Sequence, residues 1–229
     1  LFRSLSKAFN IPVDTANRLI AEDPSAKEIL RPFMQGRGMV PFGKPDTASY
    51  LLFIPKGFTM KAFGLNSDNK EDRKNMPSEE SAWEWFESTY PSVAHWLLQF
   101  KKEASKRSDK GDYWWELRAC AYYNEFSLPK LFYQPFQVRP CFIYSDQSVF
   151  CNNSMWFIPI KDKALLALLC SNMGWWMISK YCPRIQNGYQ LIWDNFKQIS
   201  LPSELPPRLG ELADLLMQDV ELGHNDDYT

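Results

Sequence analysis

The stretch Lys110-Gly-Asp-Tyr-Trp-Trp-Glu-Leu-Arg118, followed by Ala121-Tyr-Tyr-Asn-Glu-Phe-Ser-Leu-Pro-Lys130, opens the segment that decides the fold class. Across residues 111–159, short groups of aromatic and aliphatic residues alternate with prolines and polar turns. Short apolar groups bounded by turn residues are typical of strands joined by tight connections. We therefore predict antiparallel strands at 130–133, 141–144, 148–150 and 154–158.

Helices are predicted on both sides of this segment. Ser78, followed by two glutamates, is a typical N-cap, and Pro91 suits the first turn of a second helix. Asp162 is a suitable cap for a helix through residue 176, and leucine spacing predicts a last amphipathic helix over 207–222. Further expectations are helical turns at 15–20 and 24–30, strands at 49–55 and 199–201, and an exposed loop at 64–77. The predicted fold class is α+β, with mostly antiparallel sheets flanked by helices and a C-terminal amphipathic helix.

Charge is unevenly distributed along a nearly neutral chain. The 229 residues carry a formal net charge of -1, which excludes a uniformly basic nucleic-acid coat. From residue 204 onward there are seven acids and one base, for a net charge of -6, so residues 1–203 carry +5. This modest excess favours a polyanionic partner only slightly. We predict a main domain at 1–203, and a linker, an acidic amphipathic helix and a disordered tail at 204–229.

Several classes of site lack their residues in this sequence. The five cysteines form no C-x-x-C pair, and with only two histidines they support neither a zinc site nor a disulfide scaffold. No glycine-rich phosphate loop or nucleophile elbow is present. No apolar stretch is long enough to span a bilayer, and the amino end carries no secretory signal. We therefore predict no catalytic residues, no metal and no membrane contact, with reduced thiols in the cytoplasm.

The order of several motifs resembles a known family. The motif Tyr113-Trp-Trp-Glu116 lies among Ile29-Leu-Arg-Pro-Phe33, YLLFIPKGFT at 50–59, Tyr90-Pro-Ser-Val-Ala94, Arg139-Pro-Cys-Phe142, Phe150-Cys-Asn-Asn-Ser154, Phe157-Ile-Pro159 and Ile199-Ser-Leu-Pro202. Over about residues 27–202, this series resembles the TaqI-like C-terminal specificity domain, a target recognition domain, of type II restriction-modification enzymes and adenine-specific DNA methyltransferases.

The resemblance implies a DNA-recognition module without its own catalysis. In this family the domain recognises a sequence of double-stranded DNA, while a separate N-terminal domain of the same chain methylates adenine with S-adenosylmethionine. The Asn-Pro-Pro-Tyr group that such a catalytic domain needs is absent from this sequence. Its one pair of adjacent prolines, Pro206-Pro207, is flanked by Leu205 and Arg208. A chain that begins with Leu1 fits a domain cut from a longer protein. The implied location is the cytoplasm of a prokaryote, with no cofactor in this part of the enzyme.

Basic, aromatic and amide side chains near the family motifs are the first candidates for contacts with DNA. Lysine and arginine neutralise phosphates, and asparagine amides suit adenine. The alternative is structural, with tryptophans in the core, lysines at a solvated helix end, and asparagines and arginines within turns. The candidates for phosphate contact or scaffold are Arg31, Arg37, Lys101, Lys106, Arg107, Lys110, Tyr113, Trp114, Arg118, Lys130, Asn152 and Asn153.

Base contacts are expected in loops that carry no family motif. A specificity domain must change its base contacts between family members, so shared motifs are better suited to the scaffold or to phosphates. The two loops that meet this condition are 61–74 and 134–147. Their candidates for base contact are Lys61, Asn66, Asn69, Lys70, Arg73, Lys74, Gln134, Gln137, Arg139 and Gln147.

Two other function classes compete with DNA recognition. The aromatic-rich surface and the acidic terminal helix are also compatible with a protein-interaction module that docks subunits of a phage-defence complex. An independent enzyme is disfavoured, because the sequence supplies no catalytic constellation. The sequence upstream of Leu1 distinguishes the classes, since an Asn-Pro-Pro-Tyr group there would indicate a methyltransferase.

Overall fold

The computed structural model describes residues 6–36 and 38–224. It confirms the α+β class, since helices flank antiparallel strand pairs and a helix lies near the C-terminal end. The described residues divide into two compact units. The first unit comprises residues 6–33 and Ala48–Tyr122, and the second comprises Met34–Thr47 and residues 123–224. Residues 204–224, which charge sets apart from the main domain, are assigned to the second unit.

The first unit combines a small antiparallel sheet with a group of helices. Strand β3 pairs with β1 on one side and with β2 on the other. The strands are β1 (Asn10–Pro12), β2 (Leu30–Met34, whose last residue is assigned to the second unit) and β3 (Ser49–Leu52). The helices are α1 (Ser6–Phe9), α2 (Val13–Glu22), α3 (Phe58–Ala62), α4 (Lys70–Lys74), α5 (Glu79–Thr89), α6 (Pro91–Leu98) and α7 (Lys101–Ala104), with a 3-10 helix at Pro24–Glu28.

The second unit contains two three-stranded antiparallel sheets. In one, β4 lies between β6 and β8; in the other, β10 lies between β5 and β9. The strands are β4 (Lys130–Tyr133), β5 (Phe136–Gln137), β6 (Phe142–Ser145), β7 (Phe150–Cys151), β8 (Trp156–Ile158), β9 (Arg184–Ile185) and β10 (Gly188–Gln190). The helices are α8 (Lys163–Leu169), α9 (Asn172–Tyr181), α10 (Trp193–Phe196) and α11 (Pro207–Glu221), with a 3-10 helix at Tyr123–Ser127.

Helix α11 packs against α8 of its own unit. Ala213 is fully buried, and leucines, a methionine and a valine on the same side are partly buried against the core. Ion pairs join Lys163 to Asp214 and Lys44 to Glu221. Three leucines of the helix and its end, Leu212, Leu215 and Leu222, remain exposed.

Several predicted elements are confirmed and others are corrected. Ser78, Asp162 and Pro91 begin helices as predicted, and the serine and aspartate caps accept backbone N–H groups. The single helix expected over 164–176 is two helices, because Ser171 caps a new one by accepting from the N–H of Gly174. The predicted loop at 64–77 contains α4, and no strand forms at 199–201.

The structure also bears on the membrane and thiol expectations. Among the described residues, no helix is both long and apolar enough to cross a bilayer. All five cysteines are free thiols, with Cys151 and Cys182 buried. Burial raises the pKa of the Cys151 thiol to about 12, so this side chain behaves as a small apolar group.

Candidate nucleic-acid interface

The Tyr-Trp-Trp motif belongs to the core of the first unit. Tyr113, Trp114 and Trp115 are each no more than 2% exposed. The Tyr113 and Trp115 rings stack with centroids 4.7 Å apart, and Trp114 stacks on Trp83 at the same distance. The Trp115 indole donates to the Thr59 hydroxyl over 3.0 Å. Because buried rings present no face to a base, the placement of Tyr113 and Trp114 favours the scaffold role over a contact with DNA.

Glu116 completes this motif as a buried carboxylate that organises the backbone around it. It is fully buried and accepts N–H groups from Gly57, Thr59 and Asp112 at 3.3, 2.9 and 2.8 Å. Desolvation raises the pKa of Glu116, and the donated hydrogen bonds partly oppose that rise. Because Gly57 and Thr59 lie at the start of α3, the carboxylate satisfies free N–H groups of a helix N-terminus.

The basic segment after α6 divides into one structural arginine and several exposed lysines. The Arg107 guanidinium donates to the carbonyls of Trp114 and Glu116 at 2.9 and 2.7 Å and lies 4.6 Å from the Phe9 ring centroid. Burial lowers the pKa of Arg107. Lys101, Lys106 and Lys110 are exposed, and the Lys110 ammonium donates to a backbone carbonyl. The lysines are thus accessible to phosphate, whereas Arg107 is occupied within the chain.

The loop at 61–74 uses most of its polar side chains internally. Asn69 caps α4, and Asn66 accepts from the backbone N–H of Asp68. Arg73 donates to the Ser67 carbonyl and pairs with Asp112 at 3.1 Å. Lys74 pairs with Glu71 on the same helix, while Lys61 and Lys70 are exposed.

The other three candidate arginines near the family motifs are Arg31, Arg37 and Arg118. Arg31 is half-buried, donates to the Leu30 carbonyl and lies 5.9 Å from the Phe53 ring centroid. Arg118 is exposed directly after the Tyr-Trp-Trp-Glu motif. Arg37 lies outside the described residues. Of these three arginines, Arg118 is the one that the structure places at an accessible surface.

Two family-motif candidates in the second unit are structural. Lys130 is fully buried and donates to the carbonyls of Leu128 and Gln147 at 2.7 and 2.8 Å. Burial lowers its pKa to about 8. Asn152 accepts from the N–H and the hydroxyl of Ser154, as in a side-chain-capped turn. Its neighbour Asn153 is exposed.

In the loop at 134–147, two of the candidate glutamines hold the backbone, while two other candidates are exposed. Gln137 is buried, donates to the Cys141 carbonyl at 3.0 Å and accepts from the Cys141 N–H at 2.9 Å. Gln134 donates to the Gly36 carbonyl. Arg139 and Gln147 are exposed. The loop is therefore a braced turn that presents a small number of polar side chains.

A β-hairpin that the sequence did not reveal lies beside this loop. Strand β10 pairs with β5 on one side and with β9 on the other, and Gln186-Asn187 is the two-residue turn between β9 and β10. Arg184, Gln186 and Asn187 are exposed. The strands are too short for an alternating hydrophobic pattern, and the turn lacks the glycine that normally marks a two-residue hairpin. The neighbouring Asn187-Gly188 pair was the one available signal.

The structure therefore shows which candidates are exposed. The exposed candidates of the first unit are mostly lysines, with two arginines and two asparagines, and lysine and arginine suit phosphate oxygens. In the second unit they are arginines and amides, which also suit base edges. The exposed candidates are Lys61, Asn66, Asn69, Lys70, Arg73, Lys74, Lys101, Lys106, Lys110 and Arg118 in the first unit, and Arg139, Gln147 and Asn153 in the second. The hairpin adds Arg184, Gln186 and Asn187, which are also exposed.

Comparison with known proteins identifies the fold. No family model and no curated protein matches the chain. The type IIL restriction-modification enzyme MmeI, solved in complex with DNA, matches with a TM-score of 0.50 and 14% identity over 93% of this chain and 26% of its own. The type IIG restriction endonuclease BpuSI has a TM-score of 0.47 and 11% identity over 95% of this chain and 24% of its own. The chain shares its fold with part of MmeI, and it spans about a quarter of the length of each of these enzymes.

Proposed function

We propose that this chain recognises a specific sequence of double-stranded DNA within a restriction-modification adenine-N6 DNA methyltransferase. The observation that carries the proposal is the fold shared with part of MmeI, an enzyme solved in complex with DNA. The motif series that resembles TaqI-like specificity domains points to the same role and covers about residues 27–202. Two lines of resemblance, one in sequence order and one in fold, thus favour target recognition.

The placement of the motif residues is compatible with this role. A recognition domain needs a rigid scaffold that holds exchangeable side chains toward DNA. The Tyr-Trp-Trp-Glu motif is buried, while lysines, arginines and amides outside it are exposed. Exposed bases can neutralise phosphates and give affinity, and arginine or amide side chains can select bases.

Catalysis in this proposal belongs to a separate domain. That domain precedes the present chain, binds S-adenosylmethionine and methylates adenine. The 229 residues of this chain contain no Asn-Pro-Pro-Tyr group, so no methyl-transfer step is assigned to them. The complete enzyme acts on DNA in the cytoplasm of a prokaryote.

One observation favours a second candidate function, a protein-interaction module. Leu212, Leu215 and Leu222 are exposed at α11, with Leu222 75% exposed. The helix segment is acidic, which disfavours contact with the phosphate backbone and permits contact with another protein. In the preferred proposal, this face contacts another part of the same enzyme or a second subunit.

Selection from a random pool of duplexes tests the two functions against each other. The 229-residue chain is incubated with duplexes that carry a randomised centre, and the bound fraction is sequenced over several rounds. Target recognition predicts that one short sequence is enriched, with specific binding on the order of 1000-fold or more tighter than binding to a scrambled duplex. If circular dichroism shows a folded chain that enriches no sequence and binds no duplex, the result contradicts the proposal. The protein-interaction module is then the favoured function.

A further inference from the structure

We infer that the β9–β10 hairpin, with Arg184, Gln186 and Asn187, contacts DNA bases in the major groove. The inference rests on the proposed function and names the element that gives it specificity. These residues lie outside both loops that the sequence marks for base contact. The hairpin is suited to this contact by its free side chains, its rigid support, its charge and its shape.

Three polar side chains of the hairpin, those of Arg184, Gln186 and Asn187, are exposed and not used inside the chain. Among the described residues, Arg184, Gln186 and Asn187 have no side-chain hydrogen bond or ion pair. This contrasts with the loop at 61–74, where asparagines cap turns and Arg73 pairs with Asp112. Polar side chains that are free in the folded chain can bind a partner without breaking internal hydrogen bonds.

The backbone that carries these side chains is firmly braced. The Leu191 N–H donates to the Pro135 carbonyl at 2.6 Å, and the Gln190 N–H donates to the Pro183 carbonyl at 2.9 Å. A side chain at Gly188 would place its Cβ 2.1 Å from the Gln137 carbonyl oxygen, so β10 approaches β5 as closely as only glycine permits. The hairpin is therefore held in one position, which reduces the entropy lost on binding.

The turn itself is held in an unfavourable conformation. Gln186 has a φ of 51°, in the left-handed region that L residues rarely adopt. Glycine or asparagine would occupy this position with less strain. A glutamine at this position is explained if its amide makes a contact that glycine could not make. Backbone strain of this kind is generally associated with functional sites.

Charge around the hairpin favours a polyanion. Residues 126–145 and 163–193 contain no aspartate or glutamate, although the whole chain has slightly more acids than bases. Arg139, Lys180 and Arg184 are exposed bases within these segments. The Lys180 ammonium lies 5.4 Å from the ring centroid of Trp176, which is 56% exposed. The segments that contain the hairpin and its partner strand β5 thus carry exposed bases and no carboxylate, which favours phosphates.

The shape and residue types of the hairpin match the major groove. A two-stranded β-ribbon fits a groove of about 12 Å width. Arginine binds guanine in a bidentate manner, and glutamine or asparagine binds adenine. This short turn therefore carries side chains for distinguishing G·C from A·T pairs.

The test compares variants of the 229-residue chain on the duplex that the wild type enriches. The main variant combines Arg184→Ala, Gln186→Ala and Asn187→Ala. It should lower affinity for the enriched duplex by about 5- to 150-fold for each lost base contact, with a smaller loss on a scrambled duplex. Repeated selection should show relaxed preference at the affected base pairs. The matched control, Arg208→Ala with Gln218→Ala on α11, removes exposed residues of the same types and should leave both readouts unchanged.

The possible outcomes distinguish a failure of the hairpin inference from a failure of the proposed function. Enrichment of the same sequence by the triple variant, with affinity within about twofold of wild type, overturns the inference and leaves DNA recognition intact. Failure of the wild type to bind any duplex overturns both. If the triple variant does not fold, Gln186→Gly decides, because glycine tolerates the left-handed backbone and removes the amide. Unchanged preference in that variant counts against the hairpin, and altered preference supports it.

Discussion

Lys130 is a buried cation whose ammonium is held between two backbone carbonyls rather than by a carboxylate. Its folded-state pKa is about 8, below the ordinary value of 10.5, because burial disfavours the charged form. Below about pH 8 the side chain is protonated in both states. Between about pH 8 and 10.5 the unfolded chain binds more protons, so this residue makes the free energy of unfolding rise with pH.

We predict that Lys130→Met removes this rise. Buried tyrosines and cysteines with raised pKa values act in the opposite direction above about pH 9, so the informative quantity is the difference between wild type and variant. Urea denaturation at about pH 7.5 and about pH 10 measures it, with the exposed Lys27→Met as control. The quantity compared is the difference in the free energy of unfolding between wild type and Lys130→Met. If this difference is the same at both pH values, Lys130 keeps its proton in the folded chain.

The same residues show what sequence reasoning could establish at this scale. Family resemblance marked the Tyr-Trp-Trp-Glu motif and Lys130 as important, and both are buried. The sequence could not separate a scaffold role from phosphate contact, because burial of a tryptophan or a lysine depends on packing between elements distant in the chain. The structure supplies that information through contacts such as Trp83 with Trp114.

At the scale of elements, two helix glycines differ in the space available for a side chain. A Cβ at Gly174, in the first turn of α9, would lie 2.2 Å from the Leu168 carbonyl oxygen. A Cβ at Gly210, in α11, would meet its nearest neighbour, the Ala164 nitrogen, at 3.9 Å, an ordinary contact. The first glycine allows α8 and α9 to turn tightly, whereas the second has no such requirement.

The matched pair Gly174→Ala and Gly210→Ala should therefore change stability in opposite directions. Gly210→Ala should raise the free energy of unfolding by about 0.5–1 kcal/mol, the usual gain in a helix interior. Gly174→Ala should lower it by about 1–3 kcal/mol, because backbone must move to relieve the overlap. Chemical denaturation of both variants provides the measurement. Equal shifts of the same sign would contradict the close approach at Gly174.

Helix–strand patterns were predictable where local signals were strong. Caps at Ser78 and Asp162, and the leucine spacing of α11, gave helix starts and a helix length close to those observed. The break between α8 and α9 was missed, because apolar residues continue through Cys170 and Ser171 acts as a cap that a helix interior can also tolerate. The β9–β10 hairpin was missed because β10 is held by pairing with β5, and the short strands carry no hydrophobic pattern of their own.

At the scale of the whole molecule, charge predicts how binding depends on salt. Lys101, Lys106 and Lys110 are exposed next to the buried motif of the first unit. Replacing all three by alanine should weaken binding to every duplex and flatten the plot of log affinity against log salt by about 0.9 per lost phosphate contact. Arg107 is left unchanged, since its guanidinium bonds to backbone carbonyls.

Fluorescence anisotropy at several salt concentrations measures this slope. Lys74→Ala is the matched control, because its ammonium is already paired with Glu71 and its removal should alter the slope less. A triple variant with the wild-type slope would show that these lysines do not contact phosphates. The sequence preference of the triple variant should stay that of the wild type, since phosphate contacts carry no base information.

The close approach at Gly188 also has a consequence for evolvability. Gly188 and the pairing of β10 with β5 fix the base of the hairpin. Residues 186 and 187 can therefore be exchanged without repacking the core. Recognition of a new sequence would then require only a few substitutions at a solvent-exposed tip, with the packing of the core unchanged. A directed-evolution library randomised at Gln186 and Asn187 is thus a compact way to search for altered target specificity.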